Sequence, residues 1–244
     1  MTEEERSRYL DFLRERRTEI LQRMQDACAR AGRSPEEVTL LGVSKTVGVE
    51  EVALAWQAGY RAFAENRPQE LDRKLAGIEA DHPEMAGVRF DMIGNLQKNK
   101  INHVIGRVGL IHSISSAQLA EAVSKRSEAH GIVSRVLLEV NVSGEESKSG
   151  FAPDEALEAL DGLMGLGGIS IEGLMTMAPA HDPDAARRTF SGLRELRDRM
   201  RERSGLELST LSSGMSDDYP IAIEEGSTIV RLGRTVFSPA YEVR

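Results

Sequence analysis

Cysteine occurs once in this chain, at position 28. An intrachain disulfide is therefore impossible, and without a Cys-x-x-Cys pair or a Cys/His cluster there is no zinc signature. The five histidines show no ligand spacing, so no metal site is expected. Long apolar runs are also missing, and none reaches the length needed to cross a bilayer. The opening Met1-Thr2-Glu3-Glu4-Glu5-Arg6 is charged where a signal region would be apolar, so a cytoplasmic protein is expected. Basic charge is in deficit, with 31 Lys and Arg against 39 Asp and Glu and a net charge of −8. That balance argues against nucleic acid and against an anionic membrane as partners. No Gly/Ser/Pro-rich linker or shift in composition divides the 244 residues. One domain over 1–244 is expected, with 1–35 as a leading helix and its connection packed on the rest.

What is present is alternation. Residues 3–31 read as a long helix with Leu10, Leu13, Leu21, Met24 and Cys28 on one side, stopped by Gly32 and Pro35. Short apolar runs then predict strands at 39–43, 61–64, 89–93, 109–114, 134–140, 169–174, 207–211 and 228–232. Amphipathic stretches at 49–57, 68–76, 117–129, 153–163, 183–203 and 217–225 predict helices between them. Residues 77–88 are the least regular stretch and read as a surface loop. Strict β/α alternation implies a parallel sheet. Eight units in so short a chain predict an α/β fold, a closed (β/α)8 TIM barrel with an extra N-terminal helix.

In such a barrel the active face is built where strands end. Those ends carry Lys45; Glu65 and Asn66; Gly94 and Asn95; Ser113 and Ser115; Asn141 and Ser143; Met175-Thr176-Met177; Ser212-Ser213-Gly214; and Arg231, Gly233 and Arg234. Burial at a strand exit lowers a lysine pKa and frees the neutral amine to attack a carbonyl, which is what a Schiff-base lysine needs. Alone, Lys45 also reads as a strand-end lysine reaching for solvent. Barrels often bind phosphate with the loops after strands seven and eight, and those loops are Ser/Gly-rich and Arg-x-Gly here. A lysine nucleophile facing a phosphate cradle suggests pyridoxal 5′-phosphate, with Arg231 placed to face its ring nitrogen. Blander readings stand beside these. Arg231 also reads as a structural ion-pair residue, Asn66 as a helix cap and Ser216-Asp217-Asp218 as an N-cap cluster. Lys98 and Lys100 read as a solvated edge, and Cys28 as a small core residue.

The motifs Leu41-Gly42-Val43-Ser44-Lys45-Thr46, Phe63-Ala64-Glu65-Asn66-Arg67 and Ile93-Gly94-Asn95-Leu96-Gln97-Lys98-Asn99-Lys100 occur in this order. Asn141-Val142-Ser143 through Glu146-Ser147-Lys148-Ser149-Gly150, Leu211-Ser212-Ser213-Gly214-Met215-Ser216-Asp217-Asp218 and Val230-Arg231-Leu232-Gly233 come after them. With these, the chain from about residue 38 to 237 resembles the pyridoxal phosphate homeostasis protein family, which is similar to the barrel domain of alanine racemase. The resemblance implies that Lys45 carries the cofactor as an aldimine and that Asn66 lies beside it. It implies that Ser212 or Ser216, with the Gly233 and Arg234 amides, holds the phosphate, and that Arg231 faces the pyridine nitrogen. The chain departs from the family at Ala64 (usually Gly), at Phe90-Asp91-Met92 (usually aromatic-His-aromatic), at Ser213 (usually Met) and at Ser238 (usually Gly). Asp91 puts in doubt any role of that histidine.

The expected function is a pyridoxal phosphate carrier in vitamin B6 homeostasis, without catalytic residues, handing the cofactor to apo-enzymes as a monomer. A racemase-like enzyme of low activity is the alternative, since two-base racemisation needs an acid/base on each face of the substrate. Alanine racemases take their second base, a tyrosine, from a further domain. A cofactor-free Schiff-base aldolase would share the barrel, the lysine and the phosphate cradle.

Overall fold

The computed structural model describes residues 1–145 and 148–242, so Glu146 and Ser147 of the quoted motif lie outside the described residues. The strands are β1 (Thr39–Val43), β2 (Ala62–Glu65), β3 (Arg89–Met92), β4 (Ile111–Ile114), β5 (Ser134–Glu139), β6 (Ile169–Met175), β7 (Thr210–Ser212) and β8 (Ile229–Leu232). They pair in parallel in sequence order, and β1 closes the barrel on β8 with Leu41 opposite Arg231. The helices are α1 (Glu3–Arg30), α2 (Val49–Gln57), α3 (Pro68–Asp81), α4 (Ala117–Ala129), α5 (Pro153–Met164), α6 (Pro183–Ser204), α7 (Tyr219–Glu224) and α8 (Arg234–Phe237). The (β/α)8 expectation holds. Alternation is broken once, where β3 is followed by a 3-10 segment at Lys98–His103 instead of an α-helix.

Local chemistry explains α1. Thr2 and Glu5 form a capping box, with the Thr2 hydroxyl accepting from the Glu5 amide at 3.2 Å and the Glu5 carboxylate accepting from the Thr2 amide at 2.7 Å. Its buried stripe is Leu13, Ile20, Met24, Ala27 and Cys28, whereas Leu21 is exposed. Ile20, seven residues after Leu13, continues the inward line that Leu21 leaves by one position. The stripe packs on α2, α7 and α8. Tyr9 donates to the Phe237 carbonyl, and Arg16 donates to the carbonyls of Thr235 and Tyr241, so α1 grips the backbone of the last helix and of the tail beyond it.

The stretch 77–88 is ordered rather than loose. Helix α3 runs on to Asp81, and a 3-10 turn at Pro83–Met85 comes next, with Ile78 and Met85 buried. Gly77 is there for contact. A Cβ at this position would lie 2.7 Å from a methyl of Val49, so its absence lets α2 approach α3.

Strand alternation sorts the barrel wall into two faces. Phe63, Phe90, Val230 and Leu232 join the helices outside, and Leu41, Val43, Ala64, Leu137, Met175 and Ile229 form a separate cluster inside. Through that interior runs a polar column, buried except at Arg89. Arg89 makes a two-pronged ion pair with Asp91, at 3.0 and 2.6 Å. Asp91 bonds His112 Nε2 at 3.1 Å, His112 Nδ1 bonds the Ser212 hydroxyl at 2.9 Å, and Arg231 donates to that hydroxyl at 2.7 Å. A second buried pair joins wall to helix, because the Lys74 ammonium of α3 meets the Glu65 carboxylate at the end of β2, both almost fully buried.

These charges lead to two expected outcomes. Lys74→Ala leaves Glu65 buried without its cation and should lower stability in urea unfolding by roughly 3–5 kcal/mol. A loss below about 1 kcal/mol, the range of an exposed pair, would show that the two side chains are solvated. Burial alone would raise the Asp91 carboxyl, but the hydrogen bonds from His112 and Arg89 outweigh it and hold the group below its ordinary range. The stability this provides is present above the ordinary carboxylate pKa of about 4 and is lost as pH falls through the lower folded value. Wild type should therefore lose stability steeply in acid, and Asp91→Asn should flatten that limb.

Candidate functional site

One cavity of about 420 Å3 opens at the C-terminal ends of the strands. Lys45, Asn66, Ser216, Arg231, Gly233 and Arg234 all border it. Ser212 does not, because it is the last residue of β7, fully buried among Arg231 and His112.

Lys45 lies just after β1, in the turn before α2. It is exposed, so the burial expected from its place at a strand exit is not met. The residue before it is fixed instead. Ser44 is fully buried, its amide donates to the Ala64 carbonyl at 3.0 Å and its hydroxyl to Glu65 at 2.7 Å. Lys74, already paired with Glu65, also donates to the Ser44 carbonyl at 2.7 Å. The nucleophile candidate thus stands on an anchored backbone with an exposed side chain. Glu65 also accepts from the Asn66 amide at 3.2 Å, so one carboxylate orders the ends of both β1 and β2.

Asn66 does not cap α3, whose N-cap residue is Arg67. Its Oδ1 is buried and, among the described residues, has no hydrogen-bond partner. A buried amide oxygen left in that state costs free energy unless a ligand supplies a donor. Behind it, a Cβ on Gly94 would lie 2.1 Å from the Asn66 carbonyl oxygen, so only glycine lets the β3 loop close against this residue. Ser113 holds that loop by donating to the Gly94 carbonyl at 2.6 Å.

Arg231 forms the floor. It is 5% exposed, and among the described residues it makes no ion pair. Its nitrogens donate to Ser212 Oγ and, at 2.9 Å, to the Thr176 carbonyl. Burial pushes its pKa down to about 10, against the pull of Asp218 and Glu139, and it stays a cation at neutral pH. Burial also raises the carboxyls of Glu139 and Asp218. The structural ion-pair reading of Arg231 therefore finds no partner here.

The rim beside Arg231 joins two loops. Ser216 accepts from the Thr235 amide at 3.3 Å, which ties the β7 loop to the first turn of α8. Of the Ser216-Asp217-Asp218 cluster, Asp218 stands at the N-cap of α7 without a side-chain cap bond, and its carboxylate accepts from the Met215 amide at 2.6 Å. Arg234 pairs with Asp217 at 2.7 Å and lies over the Tyr241 ring. Tyr241 donates to Asp217 and to the Ser216 carbonyl, so the tail tyrosine does reach the edge of the site. The opposite rim is the loop before α6, where His181 borders the cavity with a left-handed φ of 60°. Sequence reasoning misses that loop, although Asp182-Pro183 is a helix-start signal and Asp182 does cap α6.

Comparison with known proteins agrees with this fold. The family model described as alanine racemase, N-terminal domain matches residues 19–239. The pyridoxal phosphate homeostasis protein of Aquifex aeolicus is 40% identical, over 91% of this chain and 96% of that protein. The crystal structure of an unknown protein from Bifidobacterium adolescentis superposes with a TM-score of 0.88 at 39% identity, covering 97% of this chain and 98% of that one. PipY of Synechococcus elongatus, solved with PLP bound, gives a TM-score of 0.80 at 28% identity, covering 93% and 100%. A cavity built from these strand ends, and likeness running nearly from end to end, lead to one assignment: the chain belongs to the pyridoxal phosphate homeostasis protein family, within the alanine racemase N-terminal domain family.

Proposed function

We propose that this chain binds pyridoxal 5′-phosphate in the cavity, holds it covalently on Lys45 and serves as a carrier in vitamin B6 homeostasis. The observation that carries this reading is Arg231, a buried cation without a carboxylate in contact, at the floor of a cavity whose mouth bears a lysine. A buried charge needs compensation, and a phosphorylated aldehyde with a ring nitrogen offers an acceptor there. The orphaned Asn66 Oδ1 marks the same space and would take a donor from the cofactor. The PLP-bound relative of the same fold supports the ligand.

The residues divide the task. Lys45 supplies the amine, held over the cavity by the anchored Ser44 backbone. Arg231 presents its guanidinium to the ring. Ser216, with the amides of Gly233 and Arg234, cradles the phosphate, while Ser212 stays behind Arg231. When bound, the cofactor supplies an aldehyde carbon that captures amines and a ring that withdraws electrons. A permanent cation at the ring nitrogen disfavours its protonation and weakens that withdrawal, which suits holding over carbanion chemistry. Apo-enzymes that need the cofactor are the proposed recipients, the protein acting as a cytoplasmic monomer.

Purified protein should take up pyridoxal phosphate with a visible absorption band that borohydride abolishes, leaving an adduct that peptide mapping places on Lys45. Lys45→Ala should show no adduct. A wild type that stays colourless with added cofactor would overturn the reading in favour of a cofactor-free aldolase. Amino-acid turnover should lie far below an ordinary enzymatic rate of about 1 s⁻¹, and a rate at that level would make the protein a racemase-like enzyme instead. Asn66→Ala should weaken cofactor binding about ten-fold, the effect of one hydrogen bond to a buried polar group, with little change in melting temperature.

A further inference from the structure

The column through the barrel has a direction set by what each atom can donate. Asp91 is fully buried and, as a carboxylate, only accepts. His112, also fully buried, must therefore present Nε2–H to it. In the neutral ring Nδ1 is then a lone pair, and its partner among the described residues is the Ser212 hydroxyl at 2.9 Å. Ser212 thus donates to His112, and its oxygen lone pairs turn toward Arg231, which donates into them at 2.7 Å. A protonated ring would reverse the Ser212 bond and leave that buried hydroxyl hydrogen without the acceptor it has here. Burial of the imidazole, aided by the charges of Arg231 and Arg89, favours the neutral ring over the pull of Asp91.

We propose that Asp91, His112 and Ser212 are positioning residues forming a one-way hydrogen-bond chain that orients Arg231 against the bound cofactor. Ser212 serves the arginine and not the phosphate. The proposal rests on the pyridoxal phosphate reading of the cavity. Arg231 is pinned on its inner side by two acceptors, the Ser212 hydroxyl and the Thr176 carbonyl. Two pinned nitrogens fix the plane of a rigid guanidinium, so the edge it shows the cavity has one orientation. The chain is anchored at its far end by Arg89, which grips Asp91 with two bonds and keeps it ionised. Without the Ser212 hydroxyl, one prong of Arg231 would be free to turn, and the contact with the ring would loosen. The same occupation removes Ser212 from the choice of phosphate ligand, which leaves Ser216 on the cavity rim.

The test has one arm without cofactor and one with it. In the apo-protein, ¹⁵N NMR of the imidazoles at neutral pH should show His112 as the neutral tautomer protonated at Nε2, with Nδ1 accepting. A ring protonated at Nδ1 would overturn the chain. With pyridoxal phosphate, Ser212→Ala and His112→Gln should each raise the Kd about ten-fold, the effect of weakening one hydrogen bond to a charged group. Both should shift the visible band of bound cofactor in the same direction, which a purely structural role would not do. The double variant should be no weaker than either single one, because both break the same path. Additive losses, or single variants with unchanged affinity and spectrum, would overturn the proposal while leaving cofactor binding intact. A wild type that takes up no cofactor would overturn the site reading and with it the role of the chain toward the ring, whatever tautomer His112 adopts.

Discussion

A guanidinium inside a barrel is the constraint around which this molecule is arranged. Arg231 lies on β8 opposite Leu41 of β1, in a barrel interior that packs aliphatic side chains around one polar column. Its charge is not cancelled by contact with a carboxylate. It is solvated by a hydroxyl and a carbonyl, with Asp218 and Glu139 acting at longer range. Such an arrangement is stable only if the acceptors are rigid: Ser212 ends β7, and Thr176, one residue past β6, donates its amide to the Ser212 carbonyl at 3.1 Å. Catalytic faces on barrels are usually described by their loops. In this chain the electrostatic character of the face is decided one layer below, among strand residues that never touch solvent.

The lysine side of the cavity obeys a different logic. Glu65 takes hydrogen bonds from Ser44, Lys74 and Asn66, so a single carboxylate ties together the end of β1, the end of β2 and the middle of α3. Order is concentrated in the backbone on which Lys45 stands, and its side chain is left exposed. In the interior, Asp91 pairs with Arg89 and hydrogen-bonds His112.

Much of the site was legible because a barrel converts sequence order into place. Once eight strands are recognised, their C-terminal ends mark a single face, and Lys45, Asn66, Arg231, Gly233 and Arg234 fall on it without knowledge of any contact. The features that stayed hidden depended on a register of one residue or on a partner far along the chain. Ser212 looks like a loop residue if β7 is placed at 207–211; the strand is Thr210–Ser212, and the shift turns this hydroxyl into the barrel. Its partner His112 is separated by a hundred residues, a pairing no local pattern announces. Lys74 sits in an amphipathic helix where lysine ordinarily reads as a solvated face, and only the fold reveals a carboxylate beneath it. The segment 77–88 looks irregular because Gly77 resembles a helix stop, when its missing side chain is what allows two helices to touch.

The grip of α1 on α8 and Tyr241 has a consequence for how the protein folds. Helix α1 carries an apolar stripe whose partners α7 and α8 lie far along the chain. Until they dock, Leu13, Ile20 and Met24 lack most of their cover, and the barrel closes only when β1 meets β8. Contacts this distant in sequence make folding slow and expose partly formed edges.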